Sequence, residues 1–319
     1  MIRPERFIEC KLKAEEGDAE SQYSLGLFYA KGVIIPQDKV EAVRWFHKAS
    51  EQGHSEAQYN LAICYATGSG VTEDLHESVN WLRRSAEQNH SDAQFKLALC
   101  YATGFGVTVN KPEAARWWTK SANQGDQNAQ FEIGWCNYKG IGVPENKSEA
   151  LKWFRKSAYQ GNPKSQFQIA YFSYKGYGIL KDLVEAYAYF NLSGLNLNEA
   201  TEVLELLEKE MTSSQIEAGQ KRSKELQKEI NAAIAEKISE DEEIKRKKTN
   251  NTENTEKKEW PRLLYNRVEF SVGTKEDMEK SLSRKTPSGS GCSFLFWIII
   301  ASWIVGSIFT VKAIITGHF

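Results

Sequence analysis

Gly17, Gly53, Asn89, Gly125 and Gly161 stand 36 residues apart, and the chain between them repeats in one frame without an insertion. A period of this length dictates architecture before any single residue is interpreted. Each copy has to be one supersecondary unit that buries its apolar face against the next copy. A Leu or Ile followed by a small residue recurs at constant offset, as Leu25-Gly26, Leu61-Ala62, Leu97-Ala98, Ile133-Gly134 and Ile169-Ala170. A glycine pair comes next, Gly68/Gly70, Gly104/Gly106, Gly140/Gly142 and Gly176/Gly178, of which the first copy keeps only Gly32. An acid-led aromatic block closes each unit: Glu41 to Trp45-Phe46, Glu77 to Trp81-Leu82, Glu113 to Trp117-Trp118, Glu149 to Trp153-Phe154 and Glu185 to Tyr189-Phe190.

Within a unit the pattern is helical. Gln58, Leu61, Ala62 and Tyr65 fall at i, i+3, i+4 and i+7, one face of a 3.6-residue helix. The glycine pair ends that helix, because glycine reaches the left-handed conformation a C-terminal turn wants. Glu77 to Ala86 then reads as a second amphipathic helix with Val79, Trp81, Leu82 and Ala86 inward. The expected fold is all-α: a right-handed superhelical solenoid of five helix-turn-helix repeats, followed by a linker and one transmembrane helix.

The run Ala57-Gln58-Tyr59-Asn60-Leu61-Ala62-x-x-Tyr65-Ala66-x-Gly68-x-Gly70-Val71, continued by Glu77-x3-Trp81-Leu82-x2-Ser85-Ala86-x2-Asn89, resembles the SEL-one-like repeat (SLR), a relative of the tetratricopeptide repeat. The resemblance covers about residues 17 to 195. Ile34 in place of the second glycine in the first copy, and Tyr189 and Leu180 in the fifth, mark atypical end repeats. It implies adaptor or scaffold activity through protein contacts, without chemistry.

The flanks complete a domain plan. Residues 1–16 are expected to be an N-terminal capping helix, 17–195 the repeats, and 196–238 C-terminal capping helices, one from Asn198 to Glu210 and one running from a start signal at Thr212 or Ser213 to about Ile238. Residues 239–291 are charge-mixed and rich in Lys, Glu, Asn and Ser, and are expected to be a disordered linker with one more apolar island, Trp260 to Phe270. From Cys292 to Val311 the chain carries no charge, and twenty residues at about 1.5 Å each match a bilayer's hydrocarbon core of about 30 Å. Residues 292–312 are therefore expected to be a transmembrane helix, with 313–319 a short tail beyond it. Met1 to Lys11 has no apolar leader segment, so the repeats are expected to face the cytoplasm from a C-terminal anchor. Within the anchor, Ser302-x3-Gly306 is a small-x3-small pattern that supports weak homodimerisation.

Composition and charge narrow the function. The 41 Lys+Arg against 42 Asp+Glu leave no global field for nucleic acid, and no nucleic-acid partner is expected. Cys64, Cys100 and Cys136 share one repeat position with Phe28 and Phe172, which makes it an apolar core slot. Stacked equivalents lie too far apart to bridge, so reduced thiols are expected. His54 and His90 are repeat equivalents in a turn; no metal pattern, phosphate loop or nucleophile motif accompanies them, and no cofactor, metal or enzymatic activity is expected.

The candidate site is the face of each first helix opposite the core, expected to line a concave groove. Aligned across copies it reads Tyr23, Tyr59, Phe95, Phe131, Phe167 and Leu27, Ile63, Leu99, Trp135, Tyr171, with Tyr138, Lys139, Tyr174 and Lys175 enriching its C-terminal end. The partner-binding candidates are Tyr59, Ile63, Phe95, Leu99, Phe131, Trp135, Tyr138, Lys139, Phe167, Tyr171, Tyr174 and Lys175. The narrower choice is Trp135, Tyr138, Tyr171 and Tyr174. The competing role of the Tyr/Phe column is packing against the next repeat, expected for about half of it. The leading function is a membrane-tethered adaptor that holds a protein or peptide partner. The alternatives are a hydrolase like the cysteine-rich, β-lactam-acting SLR proteins, and a secreted effector acting at a host membrane.

Overall fold

The computed structural model describes residues 4–32, 34–194 and 198–253. Every regular element among the described residues is an α-helix. Five helix pairs stack in order: α2 (Ala19–Lys31) with α3 (Lys39–Glu51), α4 (Ser55–Thr67) with α5 (Leu75–Glu87), α6 (Ser91–Thr103) with α7 (Lys111–Asn123), α8 (Gln127–Lys139) with α9 (Lys147–Ala158), and α10 (Pro163–Lys175) with α11 (Leu183–Gly194). Before them lies α1 (Pro4–Glu15); after them come α12 (Asn198–Glu208) and α13 (Ser213–Glu253).

Capping explains why each helix starts where it does. Asp38, Asp74, Asn110 and Asn146 cap the second helices, their side chains accepting the backbone N–H of Glu41, Glu77, Glu113 and Glu149. The acid that leads each aromatic block is thus the N3 residue, while the cap's own backbone N–H donates to a first-helix carbonyl, that of Tyr29, Tyr65, Tyr101 or Asn137. First helices are capped by Asp18, His54, His90, Asp126 and Asn162 and end at left-handed glycines, from Gly32 to Gly176. Asn89, with φ 65°, takes the left-handed position that glycine holds in the other copies; asparagine tolerates it better than most residues.

The second glycine of each pair has a further role. A methyl group on Gly70, Gly106 or Gly142 would collide with the carbonyl of Lys39, Leu75 or Lys111, at the start of the preceding unit's second helix. These glycines let neighbouring units touch backbone to backbone. Inside a unit, Gly26 lies under the Phe46 ring and Gly134 under Phe154, too close for any side chain.

The core is two buried clusters of rings and aliphatic groups, one running from Cys10 to Cys136 with Trp153 and one from Ala150 and Phe154 to Ile230, with Phe28, Phe46, Phe154, Phe172, Leu25, Leu61 and Leu97 among the least exposed residues. Cys64, Cys100 and Cys136 fill the expected slot as free, buried thiols. On the second helices a cation stacks over the tryptophan one turn earlier: Lys48 on Trp45, Arg84 on Trp81, Lys120 on Trp117 and Lys156 on Trp153. A polar seam joins the units. Gln58, Gln94 and Gln130 donate to the carbonyls of Ser50, Ala86 and Ala122 and accept from Gln88, Gln124 and Gln160.

The ends differ in detail from expectation. α1 takes the place of a preceding second helix: Cys10 stands 36 residues before Phe46, and both are 1% exposed. The final helix is expected to stop near Ile238, with a disordered linker from 239; α13 instead continues to Glu253. Residues 239–253 contain no glycine or proline, so nothing local terminates the helix. α13 packs across α11 through Arg222 to Glu185 at 3.2 Å and Asn191 to Ser223 at 2.9 Å. Further along, Ile234 sits against Gly161, and Lys237 bonds Gln160 at the end of the glutamine seam. Among the described residues no helix is long and apolar enough to cross a membrane. The segment at 292–312, the remaining linker with its Trp260–Phe270 island, and Cys292 all lie outside the described residues.

Candidate partner-binding face

The outward face of the first helices is made by positions that the core cannot absorb. Its first column divides between packing and exposure. Tyr23 and Phe167 are buried, at 7% and 4% exposure, whereas Tyr59, Phe95 and Phe131 are half-buried. Tyr59 stacks on His90 of the next unit, with ring centroids 4.9 Å apart and planes inclined by 17°. Tyr23 lies on His54 in the same way, at 4.6 Å. Phe131 and Phe167 turn instead to the second helices of their own units, against Phe154 and Phe190.

The two histidines have a role that their spacing did not disclose. Nδ1 of His54 and of His90 accepts the backbone N–H of Ala57 and Ala93 at 3.2 Å, which caps the helix and requires that nitrogen to be unprotonated. Nε2 lies 3.0 Å from the Glu20 and Glu56 carboxylates of the preceding unit. The His90 bond holds Glu56 below the usual carboxylate range. The imidazoles are inter-unit rivets that join the cap, a contact with the preceding unit's carboxylate and a ring contact.

The second column is more open. Ile63, Leu99 and Trp135 are half-buried, and Tyr171 is buried. Trp135 meets Tyr138 edge-on at 5.6 Å, and Tyr138 meets Phe172 at 5.0 Å and Tyr177 at 6.2 Å. Tyr171 packs edge-on against Tyr177 at 5.8 Å. Three of the four residues in the narrower choice therefore join around Tyr177, which the sequence reading missed. Its signal was an aromatic between the paired glycines, shared only with Phe105. The exposed Lys139 lies over both Trp135 and Tyr138, at 5.2 and 4.4 Å, and burial lowers its pKa. Burial raises the Tyr138 and Tyr171 hydroxyls.

Tyr174 belongs elsewhere. Its hydroxyl donates to Glu210 Oε1 at 2.9 Å, tying the fifth unit to the turn between α12 and α13, and burial pushes its pKa to about 12. Lys175, half-buried, and Lys181 lie over its ring. At the fifth unit Phe167, Tyr171 and Tyr174 are buried, so the accessible aromatic surface sits mainly on units two to four. Among the described residues, no group of three or more His, Cys, Asp or Glu is placed to hold a metal ion.

Glu132 was also missed. It occupies the repeat position of Ser24, Asn60, Lys96 and Gln168. Asn60 there bonds Tyr23 and the Glu56 carbonyl, whereas Glu132 has no hydrogen bond or ion pair among the described residues. Burial pushes its carboxyl up to about 7, against a weaker opposing pull from Lys164.

A stack of capped helix pairs with a glutamine seam and a half-open aromatic face defines a helix-pair repeat protein. The Sel1 repeat profile matches at residues 19–54, 55–90, 91–126, 127–162 and 163–195, and the chain belongs to that family. It is similar to a crystal structure of a protective antigen of uropathogenic Escherichia coli displaying an SLR fold, at 31% identity over 73% of this chain and 50% of that one, with a TM-score of 0.63. This chain thus spans half the length of that structure. A Sel1 repeat protein from Oxalobacter formigenes is 32% identical over 59% of this chain and 76% of its own, with a TM-score of 0.54. No curated protein matches the chain in sequence. Proteins of the Sel1 repeat family are generally protein-interaction scaffolds.

Proposed function

We propose that this chain is a membrane-tethered adaptor: the first-helix face of its solenoid captures a protein or peptide, and the apolar segment at 292–312 holds that complex at a bilayer. The observation that carries the capture is the half-buried run Ile63, Leu99 and Trp135, extended by Tyr138 and the exposed Lys139. An apolar surface shared between consecutive units, rimmed by cations, is the usual footprint of a peptide or helix groove. Tethering raises the partner's effective concentration for anything else on the same membrane. The twenty uncharged residues of the tail support the anchor. The free, singly placed thiols do not favour the alternative of a cysteine-rich hydrolase.

The test is crosslinking capture from native membranes with three full-length proteins: the wild type, Leu99→Ala/Trp135→Ala, and a tail variant with Ile299→Lys/Ile304→Lys. A defined partner set that disappears with the face variant, while the melting curve is retained, supports capture. Fractionation of the tail variant out of membranes supports the anchor. Partners indifferent to both changes would reject the adaptor reading.

A further inference from the structure

We propose that Glu132 is the cation-receiving subsite of the first-helix face, so that the partner is a segment presenting an arginine or lysine side chain to it. This rests on the reading of that face as the capture surface and names the chemistry it selects.

Position comes first. Glu132 lies on α8 between Phe131 and, one turn on, Trp135; residues three apart share a helix face. Phe131 and Trp135 are half-buried, as Glu132 is. A carboxylate flanked by two partly open rings matches what an alkyl-stemmed cation needs: aromatic surface for the stem, a ring face for the charge and an anion for the head.

Partnering comes second. Carboxylates at half-buried sites normally acquire a donor, because leaving one unpaired is costly. The equivalent Asn60 shows how the slot is satisfied internally, bonding the Glu56 carbonyl and the Tyr23 hydroxyl. Glu132 has neither bond, and Phe95, the residue that stands to it as Tyr23 stands to Asn60, carries no hydroxyl. Among the described residues the basic group that acts on it is Lys164, whose ammonium lies over the Phe131 ring at 5.9 Å and makes no ion pair with the carboxylate. Cys136, one turn further, is a buried neutral thiol. The raised proton affinity of Glu132 is what an unpaired anion in this setting should show, and an incoming cation reverses it.

Charge complementarity places the occupant. Lys96 holds the equivalent position one unit earlier and is exposed, and Lys139 covers the far side of Trp135. Between them stands the Glu132 carboxylate. An acidic segment would meet it as a repulsion; a basic one is steered to it.

The experiment uses the full chain in nanodiscs and a positional-scanning library of fluorescent undecapeptides, each pool fixing one central residue. Pools fixing arginine or lysine should bind roughly tenfold tighter or better than the glutamine pool, the scale of a charge-assisted bond. In Glu132→Gln, with a melting curve no lower than that of the wild type, that preference should shrink to about twofold or less while glutamine-pool binding persists, and Glu132→Asp should restore part of it. Equal binding of basic and neutral pools by the wild type, or a preference that survives Glu132→Gln, overturns the assignment while leaving capture by the face intact. No binding by any pool overturns it as well. If basic pools bind only to an Arg262→Gln/Arg267→Gln chain, the cation is the protein's own and the external partner is overturned.

Discussion

Gln88 donates its side-chain amide to Gln58 across 30 residues of sequence at 2.7 Å, and Gln58 in turn donates to the Ser50 carbonyl at 3.0 Å. The same two bonds recur at Gln124/Gln94 and Gln160/Gln130, so units two to four are each fastened to their predecessor by a part-buried amide relay. In a solenoid with only nearest-neighbour contacts, such a bond is part of the coupling that makes unfolding cooperative.

Gln94 is fully buried and makes both bonds of the relay. Gln94→Ala leaves the Ala86 carbonyl and the Gln124 amide without their partner and should destabilise by about 2–4 kcal/mol. Chemical denaturation followed by circular dichroism measures it. A broadened transition is expected too, because the two halves lose coupling.

Two glycines with similar positive φ separate conformational from contact effects. Gly53 has φ 87° and open space where a methyl group would stand, whereas Gly70 has φ 77° and the Lys39 carbonyl in the way. Gly53→Ala should cost about 1 kcal/mol from the left-handed backbone alone. Gly70→Ala should cost at least about 2 kcal/mol more, since units must separate. Equal losses in the denaturation midpoint would contradict the backbone contact.

The repeat made the fold legible. Helix pairs, glycine turns, the cysteine slot shared with Phe28 and the inward Trp81-Leu82 pair can all be read by aligning the copies, because repetition separates structural positions from noise. The site was less legible. A column of Tyr and Phe reads the same whether it faces solvent or the next unit, and only the stacked His90 ring reveals that Tyr59 does both. Tyr174 reads like Tyr138 in sequence, yet its hydroxyl is taken by Glu210, 36 residues further on and beyond the repeats. Glu132 reads as one more surface charge, since partnering is a property of three dimensions.

The buried thiols should be inert in the folded chain. Burial pushes Cys64 and Cys136 to about 12 and Cys100 to about 11, so almost no thiolate forms near neutral pH. A colorimetric thiol assay at pH 8 should show these three reacting only as fast as the protein unfolds, and rapidly in denaturant. Fast labelling of Cys100 in the native state would contradict the packing.

Glu132 gives stability a definite pH dependence. Its folded pKa of about 7 exceeds the ordinary 4.5, so the folded chain holds a proton that the unfolded chain has released. Its contribution is full below pH 4.5, falls as pH rises toward 7 and is gone above it. Lys164 is the basic group that moderates this, and the neutral Cys136 thiol adds no positive charge. Glu132→Gln, which imitates the protonated form, should match the wild type near pH 4.5 and exceed it by about 1–3 kcal/mol at pH 8. Melting curves across that range decide it; a constant difference would show that Glu132 is solvated.

The central claim is that partners are captured by the first-helix face. The direct measurement places a photoreactive benzophenone side chain at one position at a time in the full-length protein on native membranes. Leu99 and Thr103 report the first-helix face, and Asn80 and Lys152 report exposed positions on second helices. The account predicts discrete crosslinked species from Leu99 and Thr103, abolished by Trp135→Ala, and none from Asn80 or Lys152. Crosslinks confined to the second helices would contradict it.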